Sequence, residues 1–458
     1  MVTVPSRHGD HASPRRLAAM ALSVLVPSSS QTVLIPALPV LVDERGYSAG
    51  TSGWLLSAFL VGASLASPLV GRLGDLRGRR LLAVLVSAAY VLGSGICLAA
   101  GDHGGAMSLG RALQGFSAGV FVLHIAGLQQ IVPDRAARAV QIGLLSGVVA
   151  TGPAIGFVVG GVLTAHVGVD AIFVLGIGVG LLSTLSLWLW LPDSGGEGRG
   201  ALDVPGAVAV ALVLAGLLAF LTELGVSGPL ARSTLAALGL TVLAAVALVR
   251  ALRRATTPLL DLAVLRNRVG VIGNLASIWS AAAMYGLFVA VPQLVQDRSE
   301  VGLGLGPVAA GLVLVPGALG MVLAGPVAGR LGALHGYGPV IVVGNLLCTA
   351  GMLGLVVAPW SLTAVLLLAT VAGVGVGVAF PALPSVVMAA VPPADVGTAA
   401  GLNSLARGLG SAVGAQVVLI VSVAWPGGPA AGHLAAFATA TSCAAVAAVL
   451  GLVVSRVR

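Results

Sequence analysis

Charge is the scarcest property of this 458-residue sequence. Only 8% of residues are Asp, Glu, Lys or Arg, and the 23 basic residues are all Arg. A water-exposed domain needs about a quarter of its residues charged to cover its surface, so a soluble globular protein is excluded. Without Lys there can be no GxxxxGK[ST] phosphate loop, and a built-in P-loop ATPase is excluded with it. Aromatic residues make up 4%, too few to point to an aromatic cage for cations. The three cysteines, Cys97, Cys348 and Cys443, fall inside apolar runs with no paired spacing and no neighbouring His. They read as small buried hydrophobes, not as a disulfide or metal set, and no metal site is expected.

What the chain has in abundance is apolar length. It is 58% hydrophobic, and fourteen runs reach the roughly 18–20 residues that cross a bilayer as helix. They lie near 18–41, 51–70, 82–100, 106–131, 140–164, 171–191, 204–223, 231–250, 269–293, 307–328, 339–358, 361–388, 398–424 and 432–455. The fold class is therefore all-α integral membrane, with the lipid bilayer as the medium. The net charge of +8 would suggest nucleic acid in a soluble protein, but these Arg sit in short loops, and no nucleic-acid partner is expected. With the N-terminus inside, eighteen Arg fall on the cytoplasmic side and only Arg45, Arg232 and Arg298 outside. That imbalance puts both ends in the cytoplasm of a cell membrane. The SPRRL stretch (Ser13 to Leu17) is similar to a twin-arginine signal, but the apolar segment after it is too long for one. It reads as an uncleaved first span.

An internal repeat divides the chain. Ala66–Gly78, ASPLVGRLGDLRG, aligns with Ala324–Gly336, AGPVAGRLGALHG, with eight of thirteen positions identical. The same offset places Gly115 and Gly119 on Gly373 and Gly377, and Gly152, Ala154 and Gly156 on Gly410, Ala412 and Gly414. Spans one to six thus correspond to spans nine to fourteen, giving two six-helix pseudo-repeat bundles with two inserted helices between them. The divisions are residues 1–195, 196–255 and 256–458. Such repeats are a transporter plan, with the substrate path between the halves.

GRLGDLRGRR (Gly71–Arg80), between spans two and three, resembles the loop signature of the major facilitator superfamily. With its inserted pair, the whole chain resembles the fourteen-spanner drug:proton antiporters of that superfamily. Glycines Gly71, Gly74 and Gly78 permit a tight turn. An acid there adds nothing to topology, so Asp75 is the functional residue. The resemblance implies a latch of Gly71, Arg72, Asp75, Gly78, Arg79 and Arg80 that holds the cytoplasmic side shut in one transport state. In the second copy the acid is Ala333, so the latch is one-sided. LGRALQG (Leu109–Gly115) resembles the family's arginine motif, which implies proton coupling by Arg111 and Gln114. Those two lie three apart on one helix face. An unpaired Arg in a span costs about 3 kcal/mol, and snorkelling to the surface is the alternative. GVVATGPAIGFVVGG (Gly147–Gly161) resembles the antiporter motif: Gly152, Pro153, Gly156, Gly160 and Gly161 form a small-residue stripe that admits another helix closely. Phe157 stands where a second Pro is usual. In span one, Ser30 stands where the family usually carries an Asp.

Other polar residues inside spans are Ser30, Gln31, Asn274 and Arg407, assigned to the substrate path, with Asn403 beside them. His124 reads as a helix-packing hydrogen bond, on a different face from Arg111. GFSAG (Gly115–Gly119) matches a nucleophile-elbow spacing, but in mid-helix and not at a strand-to-helix turn. The expectation is a secondary active transporter, not an enzyme. It would export small amphipathic compounds in exchange for protons by alternating access, with no cofactor beyond the proton gradient. A facilitator or specific metabolite porter without proton coupling is the alternative within transport. A membrane-embedded sensor or enzyme is the alternative of another class. The substrate is a small molecule that the sequence does not name, and no oligomer is specified.

Overall fold

The computed structural model describes residues 13–192, 203–255, 267–357, 361–392 and 396–456; the side chains at 49, 75, 135, 136, 139 and 397 also lie outside the described set. Within it are fourteen helices long and apolar enough to cross a membrane. They are α1 (Pro14–Arg45), α2 (Ala49–Arg77), α3 (Arg79–Ala99), α4 (Gly104–Ile131), α5 (Arg135–His166), α6 (Asp170–Trp190), α7 (Val204–Ser227), α8 (Arg232–Arg254), α9 (Arg268–Gln296), α10 (Pro307–His335), α11 (Tyr337–Val357), α12 (Leu362–Ala389), α13 (Val396–Ala424) and α14 (Gly428–Arg456). Each coincides with an expected span. The proposed divisions at 195 and 255 fall in or against residues outside the described set.

Start signals fix many of the boundaries. Ser48, Asp134, Asp203, Asn267 and Ser361 each accept a backbone N–H of the first turn that follows, satisfying donors that a helix start leaves orphaned. α1 is broken at Ile35–Ala37 by a 3-10 turn and resumes at Leu38; the prolines at 36 and 39 withhold two of the N–H groups a continuous helix needs.

The basic stretch between α2 and α3 is not an open loop. Helix continues through Gly71, Gly74 and Arg77 and restarts at Arg79, so Gly78 alone makes the joint. Its φ of 95° lies in the left-handed region, open to Gly at little cost. Gly336, its partner in the repeat, makes the same joint between α10 and α11 at φ 85°. The sequence repeat is thus a repeat of backbone conformation.

Two faces can be distinguished: a basic face, where the described residues begin at Ser13 and stop at Arg456, and the opposite face. Toward the opposite face, one apolar core joins both halves, including Leu34, Phe59 and Phe157 from the first and Phe288, Leu314 and Leu419 from the second. Toward the basic face, the core divides into one cluster around Val86, Leu123 and Leu145 and another around Ile341, Leu383 and Val454. The buried apolar core is thus continuous between the halves on the opposite side and divided between them on the basic side. Two seams join them. Along the α2/α13 seam, Ser57 Oγ donates to the Ala412 carbonyl at 3.1 Å and Ser404 Oγ to Ser67 Oγ at 3.3 Å. At the α5/α10 seam, Gly311 meets the Phe157 carbonyl, while Leu144, Leu323 and Leu334 nearer the basic face are exposed. The inserted α7 lies over the first seam, with Val210 and Leu214 against Leu405 and Thr222 Oγ1 accepting from Gln416 Nε2 at 2.7 Å.

Candidate functional site

The glycine stripe of α5 has a definite partner. An added Cβ at Gly152 would collide with Ser28, at Gly156 with the Ser29 carbonyl and Thr32 Oγ1, and at Gly160 with the Val33 carbonyl. All three face α1. Gly161 faces the other half, its Cβ position 2.6 Å from the Pro307 carbonyl. Thr32 Oγ1 donates to the Pro153 carbonyl at 3.0 Å, stitching the pair where the proline is. Phe157 turns inward and meets Phe288 of α9 edge-on, with ring centroids 5.1 Å apart.

This close approach sets α1 beside Arg111, which is 0% exposed. Its Nε donates to the Leu55 carbonyl at 3.2 Å and one terminal nitrogen to Gln114 Oε1 at 2.7 Å and Ser30 Oγ at 3.3 Å. The other terminal nitrogen donates to the Ser30 carbonyl at 3.0 Å. Phe59 lies beneath the guanidinium, 4.6 Å from its carbon to the ring centroid. Snorkelling is thereby ruled out: the charge is held inside the bundle by four neutral acceptors and a ring face. Hydrogen bonds to a charged group are each worth about 1.5–3 kcal/mol, enough together to offset an insertion cost of about 3 kcal/mol. Gln114 Nε2 donates onward to Ser94 Oγ at 2.8 Å.

Next to Ser30, Gln31 Oε1 accepts from Tyr285 of α9 at 3.3 Å. The pair Gln31–Tyr285 therefore crosses between halves, and Tyr285 stacks edge-on with Phe288 at 5.7 Å. Four sequence-assigned residues, Ser30, Gln31, Arg111 and Gln114, come together at one place beside the continuous core.

Asn274 and Arg407 stand elsewhere. Asn403 Nδ2 donates to Asn274 Oδ1 at 3.1 Å and to Ser277 Oγ at 2.7 Å, so both asparagines bind α9 to α13 inside the second half. The Arg407 guanidinium carbon lies 4.8 Å from the centroid of the Phe380 ring. His124 makes the expected packing bond, to Ser23 Oγ at 2.6 Å. At the basic face, Arg79 donates to the Ala126 carbonyl at 3.0 Å and Arg80 to the Trp188 carbonyl at 2.6 Å, both within the first half. Arg72 is half-buried near the end of α2, and the side chain of Asp75 lies outside the described residues.

On the opposite face, beyond the continuous core, a cavity of about 660 Å³ opens between the halves, with Asp43, Gln293, Asp297 and His433 among its lining. Asp297 accepts from the Ser299 N–H at 2.8 Å, from the Ser299 hydroxyl at 2.9 Å and from His433 Nε2 at 2.8 Å. Partial burial pushes this carboxyl's pKa up, but the three hydrogen bonds outweigh it and hold the group below its ordinary value.

The sequence pattern of the Major Facilitator Superfamily matches residues 20–415 and again 273–457. The chain belongs to that superfamily. A multidrug efflux pump, LfrA, of Mycolicibacterium smegmatis is 28% identical over 87% of this chain and 78% of its own length. A tetracenomycin C resistance and export protein of Streptomyces glaucescens is 26% identical over 88% and 74%. The fold is also that of the nucleoside transporter NupG, with a TM-score of 0.68 at 14% identity over 96% of this chain and 99% of that one.

As a superfamily transporter, the chain uses residues that the motifs did not flag. Phe59, Ser94 and Tyr285 complete the Arg111 site. Tyr285 carried a signal, since a phenol inside an apolar span needs a hydrogen-bond partner. Phe59 and Ser94 carried none.

Proposed function

We propose that this chain exports small amphipathic compounds from the cytoplasm across the cell membrane by alternating access, in exchange for protons moving inward. The basic face is cytoplasmic, as the bias of Arg toward that face argues. The observation that carries this reading is the division of the buried core between the two halves on the basic side beneath a continuous core on the other. Such an arrangement presents a site to the cytoplasm while denying it to the outside. Relatives described as efflux and export proteins, matched over most of both chains, support the direction of transport.

Within this reading, Arg111 and Gln114 act in coupling, and the small-residue stripe Gly152, Pro153, Gly156, Gly160 and Gly161 lets α1 and α5 slide as one unit. Asp75, with Gly71, Arg72, Gly78, Arg79 and Arg80, is the latch of the closed cytoplasmic state. One observation favours the second reading, a facilitator or specific porter: at the place where the family usually carries an acid, Ser30 accepts from Arg111 and supplies no carboxylate to titrate.

Efflux of fluorescent amphipathic dyes from a pump-deficient bacterial strain tests the proposal, with and without a protonophore and with Asp75→Asn as the inactive control. Protonophore-sensitive extrusion, absent from the control, is expected. Extrusion indifferent to the protonophore would replace the antiporter with a facilitator.

A further inference from the structure

The membrane interior of this chain contains two arginines and no carboxylate. Every one of the 15 acids falls, in sequence, before the first spanning helix, between two of them or near the terminal turn of one. Glu223, close to the end of α7, is the deepest, and it belongs to the inserted pair. Arg111 is satisfied by the four acceptors described above. Arg407 is not: its Nε is buried and meets no acceptor among the described residues, leaving the Phe380 ring as its one described contact.

The direction of Arg407 follows from its helix. On α13, Asn403 and Gly410 meet α9, through Asn274 and Ile278. Ser404 and Gly408 meet α2, through Ser67 and Ser64. Leu405 and Gln416 meet α7. At 3.6 residues per turn, position 407 falls between the α9-facing and α2-facing sides and opposite the α7-facing side. It points toward the axis between the halves, about 16 Å along α13 from its basic-face end at 1.5 Å per residue.

We propose that Arg407 is the anion-recognising group of the transport path, and that the exported compound is an amphipathic organic anion, an apolar or aromatic body bearing a carboxylate, phenolate or sulfonate. This rests on the exporter reading above. A planar guanidinium offers paired donors that match such an oxyanion, and Phe380 beside it gives an aromatic wall for the body of the ligand. Arg407 as a whole is half-buried, and a bound anion gives its guanidinium the acceptor that the described residues do not. An amphipathic cation at the same place meets the fixed positive charge of Arg407, so its desolvation goes uncompensated.

Fluorescein and rhodamine 123 share a xanthene ring and carry opposite charge at neutral pH. Binding of each to the purified full chain is read by fluorescence anisotropy, and transport of each by everted membrane vesicles is read separately. The wild type is expected to bind fluorescein at least about tenfold tighter than rhodamine 123, and Arg407→Gln to lose about tenfold or more of the fluorescein affinity alone. Arg407→Lys keeps the charge without the fork and should fall between the two; it serves as the readout if the Gln variant does not elute as a folded species. Fluorescein binding that is absent, weaker than that of rhodamine 123, or indifferent to Arg407 overturns the proposal. The two claims separate cleanly. Arg407-dependent fluorescein binding without vesicle transport of either dye sinks the exporter reading and leaves the anion site standing. Preferential transport of rhodamine 123 does the reverse.

Discussion

In the first half, Gly152 and Gly156 of α5 press on Ser28, Ser29 and Thr32 of α1. In the second, Gly410 and Gly414 of α13 press on Ile278 and Ala282 of α9 in the same register. Matching the carbonyls that Gly156 and Gly414 meet, those of Ser29 and Ala282, sets Ser30 opposite Ala283. Ser30 accepts from a buried arginine, whereas the Ala283 side chain has no polar atom and Ser280, one turn earlier on α9, donates to Asn345 Oδ1 at 2.9 Å. Arg111 and Gln114 correspond to Ala369 and Ala372, both buried. Helix contacts are therefore duplicated while the polar chemistry is not. Packing that must survive rocking of the halves is repeated because each half closes on itself in the same way. A charge stands at the Arg111 position in one half only, and a second at Ala369 would have to find its own acceptors.

Exchanging the two chemistries tests this difference most severely. Ala369→Arg places an unpaired charge on a helix packed so closely that a Cβ added at Gly317 would lie 3.1 Å from the Ala369 carbonyl, and the expected result is loss of monodisperse protein on size-exclusion chromatography. Arg111→Ala should do the opposite, eluting normally while dye export falls about 100-fold or more, on the scale of removing one preorganised charge from a functional site. Export close to wild type in that variant would make Arg111 structural.

The shared packing can be broken symmetrically. Gly156→Val and Gly414→Val force a side chain into a backbone carbonyl of the neighbouring helix, and each should destabilise by about 1–3 kcal/mol. Melting temperatures lowered by similar amounts would support the duplication; a drop in one variant alone would count against it.

A gentler contrast lies in the two serines. Ser30→Ala takes an acceptor from a buried charged group, a loss of about 1.5–3 kcal/mol, and should slow transport. Ser280→Ala removes a neutral bond worth about 1 kcal/mol and should leave rates unchanged. Efflux initial rates compare them directly.

The smallest expected effect is at the cavity on the face opposite the basic one. Asp297 has a folded-state pKa below its unfolded value, so its hydrogen bonds contribute stability above about pH 4, and that contribution fades as pH falls through the folded value. Asp297→Asn should therefore melt earlier than wild type at neutral pH and converge with it in acid. A gap that stays constant with pH would exclude the ionised carboxylate as the source.

Much of this architecture was legible because hydrocarbon thickness turns apolar length into a helix count, and because the repeat carries Gly78 and Gly336 in identical roles. The α5 stripe announced a close helix neighbour, but spacing on one helix says nothing about which helix arrives. Arg111 announced a buried network by its cost, and Gln114 followed from helix geometry. Ser30 as its acceptor did not, because a serine inside an apolar span bonds equally well to its own helix. The single-residue joint at Gly78 was hidden as well: charge begins at Arg72, so the apolar run ends at residue 70, seven residues before the helix ends at Arg77.

The inserted α7 has a consequence for the surrounding lipid. It roofs the α2/α13 seam, so acyl chains are kept from that line of contact between the halves. The α5/α10 seam carries no inserted helix, and Leu144, Leu323 and Leu334 on its two helices are exposed. A membrane-dissolved compound thus meets two unlike seams, one roofed by protein and one bare.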